Sequence, residues 1–354
     1  MQKYEKEDKI YLNPVGLVNL SRYQRINNYK NYKKTNLFNS CYMNASIQCL
    51  FRLDEFVKKI IKYNEGSLVL ATKNLINNMQ KPNKKKTQCS VLDIKKAMGE
   101  KDEKYNDEYQ EDANEFITNY LNNLIEETND DSVDIDWICK EEDEEYFNKF
   151  YQKFFKRNKK SFIIDLFYGV FRTEYYCKKC NYTFNTKFSS FNILEIPTSE
   201  IHSFKNNEPL YVHNLIENFI SEKDDPDKIC NKCETAVTIK TSINSLPKCL
   251  IIYLNKEDYH YSTNNITIPK TINMENYVYD ESLIKDNNYF YHLKGIIFYS
   301  NYSSKAGHYK ATCLVNNIDN EKKWCYFDDN NVNTDKTLLR ICDDENPCLL
   351  FYEK

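Results

Sequence analysis

Apolar positions along the chain follow helical spacing in the first third and strand spacing after it. Met43, Ile47, Leu50 and Phe51 fall at i, i+4, i+7 and i+8, one face of a helix. Ser40 just before them suits an N-cap and places Cys41 in the first turn. A second helix is predicted from Asp112 to about Glu127. Ala113, Phe116, Tyr120, Leu121 and Leu124 form its stripe, and Asp112 and Glu115 stand at capping-box spacing. Residues 80–105 between these helices are Lys-rich and then mixed in charge, and read as solvated connections. Residues 1 to about 30 are polar and broken by Pro14 and Gly16, and read as an extension. Residues 126–160 are first acidic, then basic and aromatic, and read as an insertion.

From Ser161 onward the period becomes that of strands: 162–164, 170–176, 237–239, 250–254, 291–299, 308–315, 324–327 and 348–352. Helices first and mostly antiparallel strands afterwards predict an α+β fold. No internal repeat is visible.

Composition narrows the function classes. A chain of 354 residues is long enough for two domains or one composite domain, and 41% apolar residues supply a sizeable core. The formal net charge of −3 offers no global basic excess, which argues against nucleic acid as partner. No apolar run is long enough to span a membrane, and the charged start from Lys3 lacks the apolar stretch of a secretory signal. A reducing compartment, cytoplasmic or nuclear, is expected. The 13 cysteines are odd in number and irregularly spaced, which argues against a disulfide framework. Cys249 and Cys313 lie in apolar runs as small hydrophobes. The abundance of Asn, Lys, Tyr and Ile reads as AT-rich coding, as in a parasite or large DNA virus.

Two constellations carry chemistry. A Cys in the first turn of a helix meets unpaired N–H groups that favour a thiolate. A nucleophilic thiol needs a base and a group that orients the base. His308, beside Gly307 on a predicted strand, and Asp328, at the end of the next one, supply both types. The residues alone equally fit a buried helix cysteine, a surface histidine and a turn former. The second constellation is Cys177-x-x-Cys180 and Cys230-x-x-Cys233, two knuckles able to complete a tetrahedral four-thiolate zinc site. Exposed turns or a redox dithiol are the rival readings. The acidic stretch 222–227 argues against a nucleic-acid-binding ribbon.

Asn36-Leu37-Phe38-Asn39-Ser40-Cys41-Tyr42-Met43-Asn44 resembles the Cys box of the ubiquitin-specific proteases, deubiquitinating cysteine peptidases whose box reads roughly Asn-Leu-Gly-Asn-Thr-Cys-Tyr-Met-Asn. Gly307-His308-Tyr309 with Trp324 and Phe327-Asp328-Asp329 resembles the His box. Residues 109–116 resemble the Gln-Gln-Asp-Ala-x-Glu-Phe segment, Leu246-Pro247 with 250–254 the Leu-Pro-x-x-Leu strand, and 349–352 the closing strand. The matches run in family order from about residue 35 to the C-terminus.

The resemblance implies a papain-like α+β fold: residues 1–34 as an N-terminal extension, 35–160 a helical thumb with the 126–160 insertion, 161–354 a β palm and zinc-tipped fingers. It implies hydrolysis of the (iso)peptide bond after ubiquitin's C-terminal Gly through a Cys thioester. Cys41 would be the nucleophile, His308 base and then acid, Asp328 the orienting residue with Asp329 as a second carboxylate, and Asn36 a side-chain donor to the oxyanion. Asp112 and Glu115 match acidic positions that contact ubiquitin's tail, which carries two arginines, although both also suit a helix cap. Gln110 would lie near the site and Tyr309 would wall the channel. The implied partners are ubiquitin and ubiquitinated proteins, and the one cofactor is a structural zinc at Cys177, Cys180, Cys230 and Cys233, with none for catalysis. Phe38 replaces the family's Gly, and Tyr299 and Asn301 replace a His and a Gly, departures that leave open a weakly active or inactive ubiquitin-binding scaffold. A peptidase for another ubiquitin-like modifier also stays open.

Overall fold

A computed structural model of the chain describes residues 10–19, 39–80, 88–135, 137–198, 210–255, 266–280, 288–303, 306–316, 322–334 and 345–354. The helices are α1 (Cys41–Leu50), α2 (Asp54–Ile60), α3 (Ser67–Gln80), α4 (Leu92–Lys101), α5 (Ala113–Glu127), α6 (Glu144–Arg157), α7 (Phe162–Phe167) and α8 (Val212–Ile220). The first strands are β1 (Gly16–Leu17), β2 (Gln88–Cys89), β3 (Gly169–Cys177), β4 (Tyr182–Phe191), β5 (Leu194–Pro197), β6 (Leu210–Tyr211), β7 (Lys223–Ile229) and β8 (Ala236–Ser245). They continue as β9 (Cys249–Asn255), β10 (Ile266–Thr267), β11 (Thr271–Asn273), β12 (Phe290–Ser303), β13 (Ala306–Asn316), β14 (Lys322–Asp328), β15 (Asn331–Asn333) and β16 (Pro347–Glu353). The class is α+β, as the pattern predicts. None of the described helices is long and apolar enough to cross a membrane.

The chain forms two compact units. The first joins Met1–Glu127 to Lys294–Asn346, so the helices and the strands bearing His308 and Asp328 share one unit although the sequence separates them. Here β12, β13, β14 and β15 make an antiparallel meander. Helix α1 packs between β13 and α5, and every residue from Cys41 to Leu50 is buried. The expected one-sided stripe is therefore a helix enclosed all round. Tyr42 sets its ring edge-on to Phe116 of α5, with centroids 5.6 Å apart.

Two expectations change in this unit. Residues 80–105 contain α4, whose Ile94, Ala97 and Met98 are buried; the neighbouring lysines and acids hide that apolar face in the sequence. Even Lys95 is buried, and its ammonium donates to the Asp107 carbonyl at 2.8 Å while burial pushes its pKa down. The N-terminal segment is not all extension. Leu12, Val15 and Leu17 are core residues. Gln48 Nε2 donates to Val15 O at 2.7 Å and Arg52 Nη1 to Leu12 O at 2.8 Å. Gly16 is less a breaker than a close approach: a Cβ there would lie 2.3 Å from the Asn330 carbonyl oxygen.

The second unit holds Thr128–Leu293 and Pro347–Lys354. Its sheet has the order β4-β3-β8-β7. The β3–β4 and β7–β8 hairpins lie side by side because β3 pairs antiparallel with β8. Adjacent hairpins pointing the same way bring their tips together, and each tip carries one Cys-x-x-Cys pair. A second group pairs β16 with β9 antiparallel and β5 with β9 parallel.

Residues 162–164, expected as a strand, open helix α7 instead. The Ser161 hydroxyl accepts from the Ile163 N–H at 3.1 Å, and an N-cap of that kind outweighs the weak strand preference of two isoleucines. The 126–160 stretch is largely built into this unit. Asp143 pairs with Arg172 of β3 at 2.6 Å, both side chains nearly inaccessible, and Trp137 lies against Phe150 and Phe154 of α6.

Candidate active site

The first unit assembles the site at the N-terminus of α1. Asn39 adopts φ 53°, a left-handed turn that Asn tolerates, and its side chain donates to Glu108 O at 2.7 Å. Ser40 stands at the N-cap position without capping. Its N–H donates to Asn19 Oδ1 at 3.2 Å, and its hydroxyl lies 3.4 Å from both that oxygen and Val18 O. Cys41 follows as the first helical residue, where the helix's free N–H groups favour negative charge.

Strands β13 and β14 deliver the other two groups. Their antiparallel register sets Ala311 opposite Phe327, which leaves His308 and Asp328 at the same end. His308 Nε2 meets Asp328 Oδ1 at 2.6 Å, which leaves Nδ1 as the nitrogen free for the nearby Cys41 sulfur. Burial alone would lower the imidazole pKa. The Asp328 hydrogen bond and the Cys41 sulfur outweigh it and raise it to about 10. The ring is an imidazolium at neutral pH.

Gln110 joins both sides. Its Nε2 donates to Cys41 Sγ at 3.3 Å and to Gly307 O at 2.7 Å, and its Oε1 accepts from Gly307 N at 3.1 Å. Gly307 leaves room for Tyr299, since a Cβ would lie 2.2 Å from the Tyr299 hydroxyl and would make that ring move. Tyr299 thus packs on the glycine, and its ring lies 4.7 Å from that of Tyr309. Tyr309 is buried, and its hydroxyl donates to Asp112 Oδ2 at 2.9 Å. Asp112 caps α5 as well, its Oδ1 accepting from Glu115 N at 2.9 Å. Glu115 pairs with Lys104 at 2.5 Å instead of reaching back to complete the capping box. Asn36 and Phe38 lie outside the described residues, as do the side chain of Asn301 and the loop residues 304–305.

Asn19, Asn44 and the placement of Asp329 are what the motif reading missed. Asp329 opens the two-residue turn between β14 and β15 at φ 51°, with its carboxylate 4.0 Å from His308 Nε2. Asn44 Nδ2 donates to its Oδ1 and Asn19 Nδ2 to its Oδ2, both at 2.8 Å. Burial raises the Asp329 pKa, and these two amides work against that. One signal was available: the Asn-Leu pair that begins the Cys box occurs twice before Cys41, at 36–37 and at 19–20.

In the second unit the four knuckle sulfurs lie within 4.8 Å of one another. Cys177 Sγ is 3.3 Å from Cys233 Sγ, and Cys180 Sγ is 3.7 Å from Cys230 Sγ. Zinc–sulfur bonds of ~2.3 Å in a tetrahedron need sulfurs roughly 3.8 Å apart. The four thiols therefore fit a structural zinc. Each knuckle is closed by a left-handed residue, Asn181 at φ 52° and Glu234 at φ 53°.

The profile of the ubiquitin carboxyl-terminal hydrolase family matches residues 32–352. The chain is 26% identical over 343 residues to ubiquitin carboxyl-terminal hydrolase Usp2 of Drosophila melanogaster, covering 90% of this chain and 34% of that protein. It is 25% identical over 345 residues to ubiquitin carboxyl-terminal hydrolase 5 of Saccharomyces cerevisiae, covering 83% of this chain and 41% of the relative. The chain thus spans well under half the length of these relatives. Among solved structures, the SAGA DUB module Ubp8/Sgf11/Sus1/Sgf73 bound to ubiquitin aldehyde matches in fold, with TM-score 0.63, 17% identity and coverage of 90% of this chain and 68% of that one. The module bound to monoubiquitin matches with TM-score 0.65 at 16% identity, over 90% of this chain and 67% of the other. Over nearly its whole length, this chain belongs to the ubiquitin carboxyl-terminal hydrolase family.

Proposed function

We propose that the chain is a thiol-dependent deubiquitinase that cleaves the (iso)peptide bond after the C-terminal Gly of ubiquitin. The observation that carries this is the His308 ring held by Asp328, with Gln110 tying the neighbouring Gly307 to the Cys41 sulfur; the ring, raised to about 10, keeps a proton ready for a departing amine. Cys41 Sγ attacks the Gly carbonyl carbon. His308 gives its proton to the lysine nitrogen as the C–N bond breaks, leaving a thioester. Neutral His308 then takes a proton from water, which attacks the thioester; the C–S bond breaks, ubiquitin leaves as its acid and loses that proton to solvent, and the thiolate and imidazolium are restored. Asp328 fixes the ring's orientation through both steps. Gln110 holds Gly307, and through it the start of β13, against the nucleophile.

The tetrahedral oxyanion needs fixed donors, and the Cys41 backbone N–H at the helix start is one of them. A side-chain amide is the other. Asn36 has the family's spacing from Cys41, whereas Asn19 lies beside the start of α1, its Oδ1 accepting from the Ser40 N–H while its Nδ2 gives one of its two N–H groups to Asp329 and keeps the other. We assign the role to Asn19 on that placement, with its second Nδ2 hydrogen as the donor. Asp112 and Glu115, both exposed, would meet the two arginines of ubiquitin's tail, and Tyr309, fixed by Asp112, would wall the channel. Cys177, Cys180, Cys230 and Cys233 would hold one zinc. A closed four-thiolate shell leaves no position for water, so the metal would serve the fold and not the reaction.

The test is turnover of a fluorogenic ubiquitin C-terminal amide. Wild type should release the fluorophore and be labelled on Cys41 by a ubiquitin C-terminal electrophile. Cys41→Ala should do neither while still binding ubiquitin. Equal rates in both proteins would refute the proposal.

A further inference from the structure

Helix α6 and strand β4 border an open groove of about 700 Å³ in the second unit that the proposed chemistry does not use. The helical wall carries two stripes at i, i+4 spacing. Tyr146, Phe150 and Phe154 form an aromatic one, and Lys149, Lys153 and Arg157 a cationic one beside it. Only Phe147 of this aromatic-rich helix is buried. The opposite wall is the unbroken run 185–190 of β4, Lys187 included. Successive side chains of a strand point to opposite faces, so a continuous run means that the strand's margin borders the groove.

That margin is open. β4 is the outer strand of the sheet β4-β3-β8-β7, and its outward backbone groups have no backbone partner among the described residues. The charge is one-sided as well. Among the described residues no carboxylate lines the groove, in a chain whose net charge is −3. Lys149 is shared with Glu145 at 2.5 Å, and Lys187 lies over the Tyr175 ring at 4.8 Å. Lys153 and Arg157 are exposed and have no carboxylate partner among the described residues.

We propose that this groove docks an extended acidic segment of a partner protein, which adds as a strand along β4. Its backbone would satisfy the free margin, its carboxylates would face Lys153, Arg157 and Lys187, and its apolar side chains would lie on Tyr146, Phe150 and Phe154. A nucleic acid would satisfy the cations but leave the strand's N–H and C=O groups unmatched. The basic tail of ubiquitin is repelled by the same cations. The surface is therefore a recruitment site of the second unit that uses none of the peptidase residues, and it stands whether or not the chain cleaves ubiquitin.

The probe is a fluorescein-labelled peptide of alternating Glu and Val or Phe, read by fluorescence anisotropy on the full chain. It should bind, bind less as salt rises, and lose about tenfold or more in affinity against Lys153→Glu/Arg157→Glu. The melting temperature of that variant should match wild type, which shows that it folds, and its turnover of the fluorogenic ubiquitin substrate should equal that of wild type. The same peptide with alternate backbone amides methylated should fail to bind. Equal binding of a lysine-for-glutamate peptide, or insensitivity to the double charge reversal, overturns the proposal. So does full binding of the methylated peptide, displacement by free ubiquitin, or tighter binding of a single-stranded oligonucleotide.

Discussion

His308 is the residue whose environment is furthest from ordinary imidazole, at about 10 against 6.5. A group raised on folding contributes its charge-dependent stability fully below about pH 6.5, the unfolded value, and loses it as pH rises through about 10. Catalysis by a thiolate and an imidazolium should share the upper limit. The kcat/KM profile on the fluorogenic substrate is expected to fall on its alkaline side near pH 10. In Asp328→Asn that limb should move toward neutral pH, because the leading group that raises His308 is gone. An unmoved limb would mean that another pair carries the profile. The two asparagines give a second residue-scale test. Asn19→Ala is expected to lower kcat about 10²-fold, the scale of one oxyanion donor, with Asn36→Ala near wild type. The reverse order would return the role to Asn36.

At the scale of elements, the short segment around β1 matters more than its length suggests. It contributes Leu12, Val15 and Leu17 to the core and Asn19 to the site, and it accepts from Gln48 in the last turn of α1 and from Arg52 just beyond it. Burial of such side chains is worth ~1.5–3 kcal/mol each as an upper estimate. Deleting residues 1–19 should therefore cost several kcal/mol and abolish turnover. Deleting residues 1–9 should leave both the melting temperature and the rate close to wild type. Thermal melts and the fluorogenic assay decide between these outcomes, and equal behaviour of the two truncations would show that the segment is dispensable.

At the scale of the molecule, each unit has its own core and carries one constellation: the thiol, imidazole and carboxylate in the first, the four-cysteine cluster in the second. A zinc held only by the hairpin tips should be needed only there. Metal analysis of purified protein should find about one zinc per chain, lost in Cys177→Ser/Cys230→Ser. Chelation should increase hydrogen exchange in the 170–245 hairpins while leaving alkylation of Cys41 by a small reagent at its original rate. If Cys41 reactivity falls in step with zinc, the two units are coupled.

The sequence alone determined the helix at Cys41, most of the strands, the two knuckles and the order of the motifs. These are local: apolar periodicity, a Cys-x-x-Cys spacing and an N-cap each need only a few neighbouring residues. It failed where local preference competed with a cap, as at Ser161, or where charges hid an apolar face, as along α4. Only the tertiary structure decided that Gly16 is a packing contact, that Asn19 reaches Ser40 and Asp329, and that Glu115 belongs to Lys104. Those are pairings between distant positions, settled by which backbones the packed core forces together. Spacing along a chain carries no record of that.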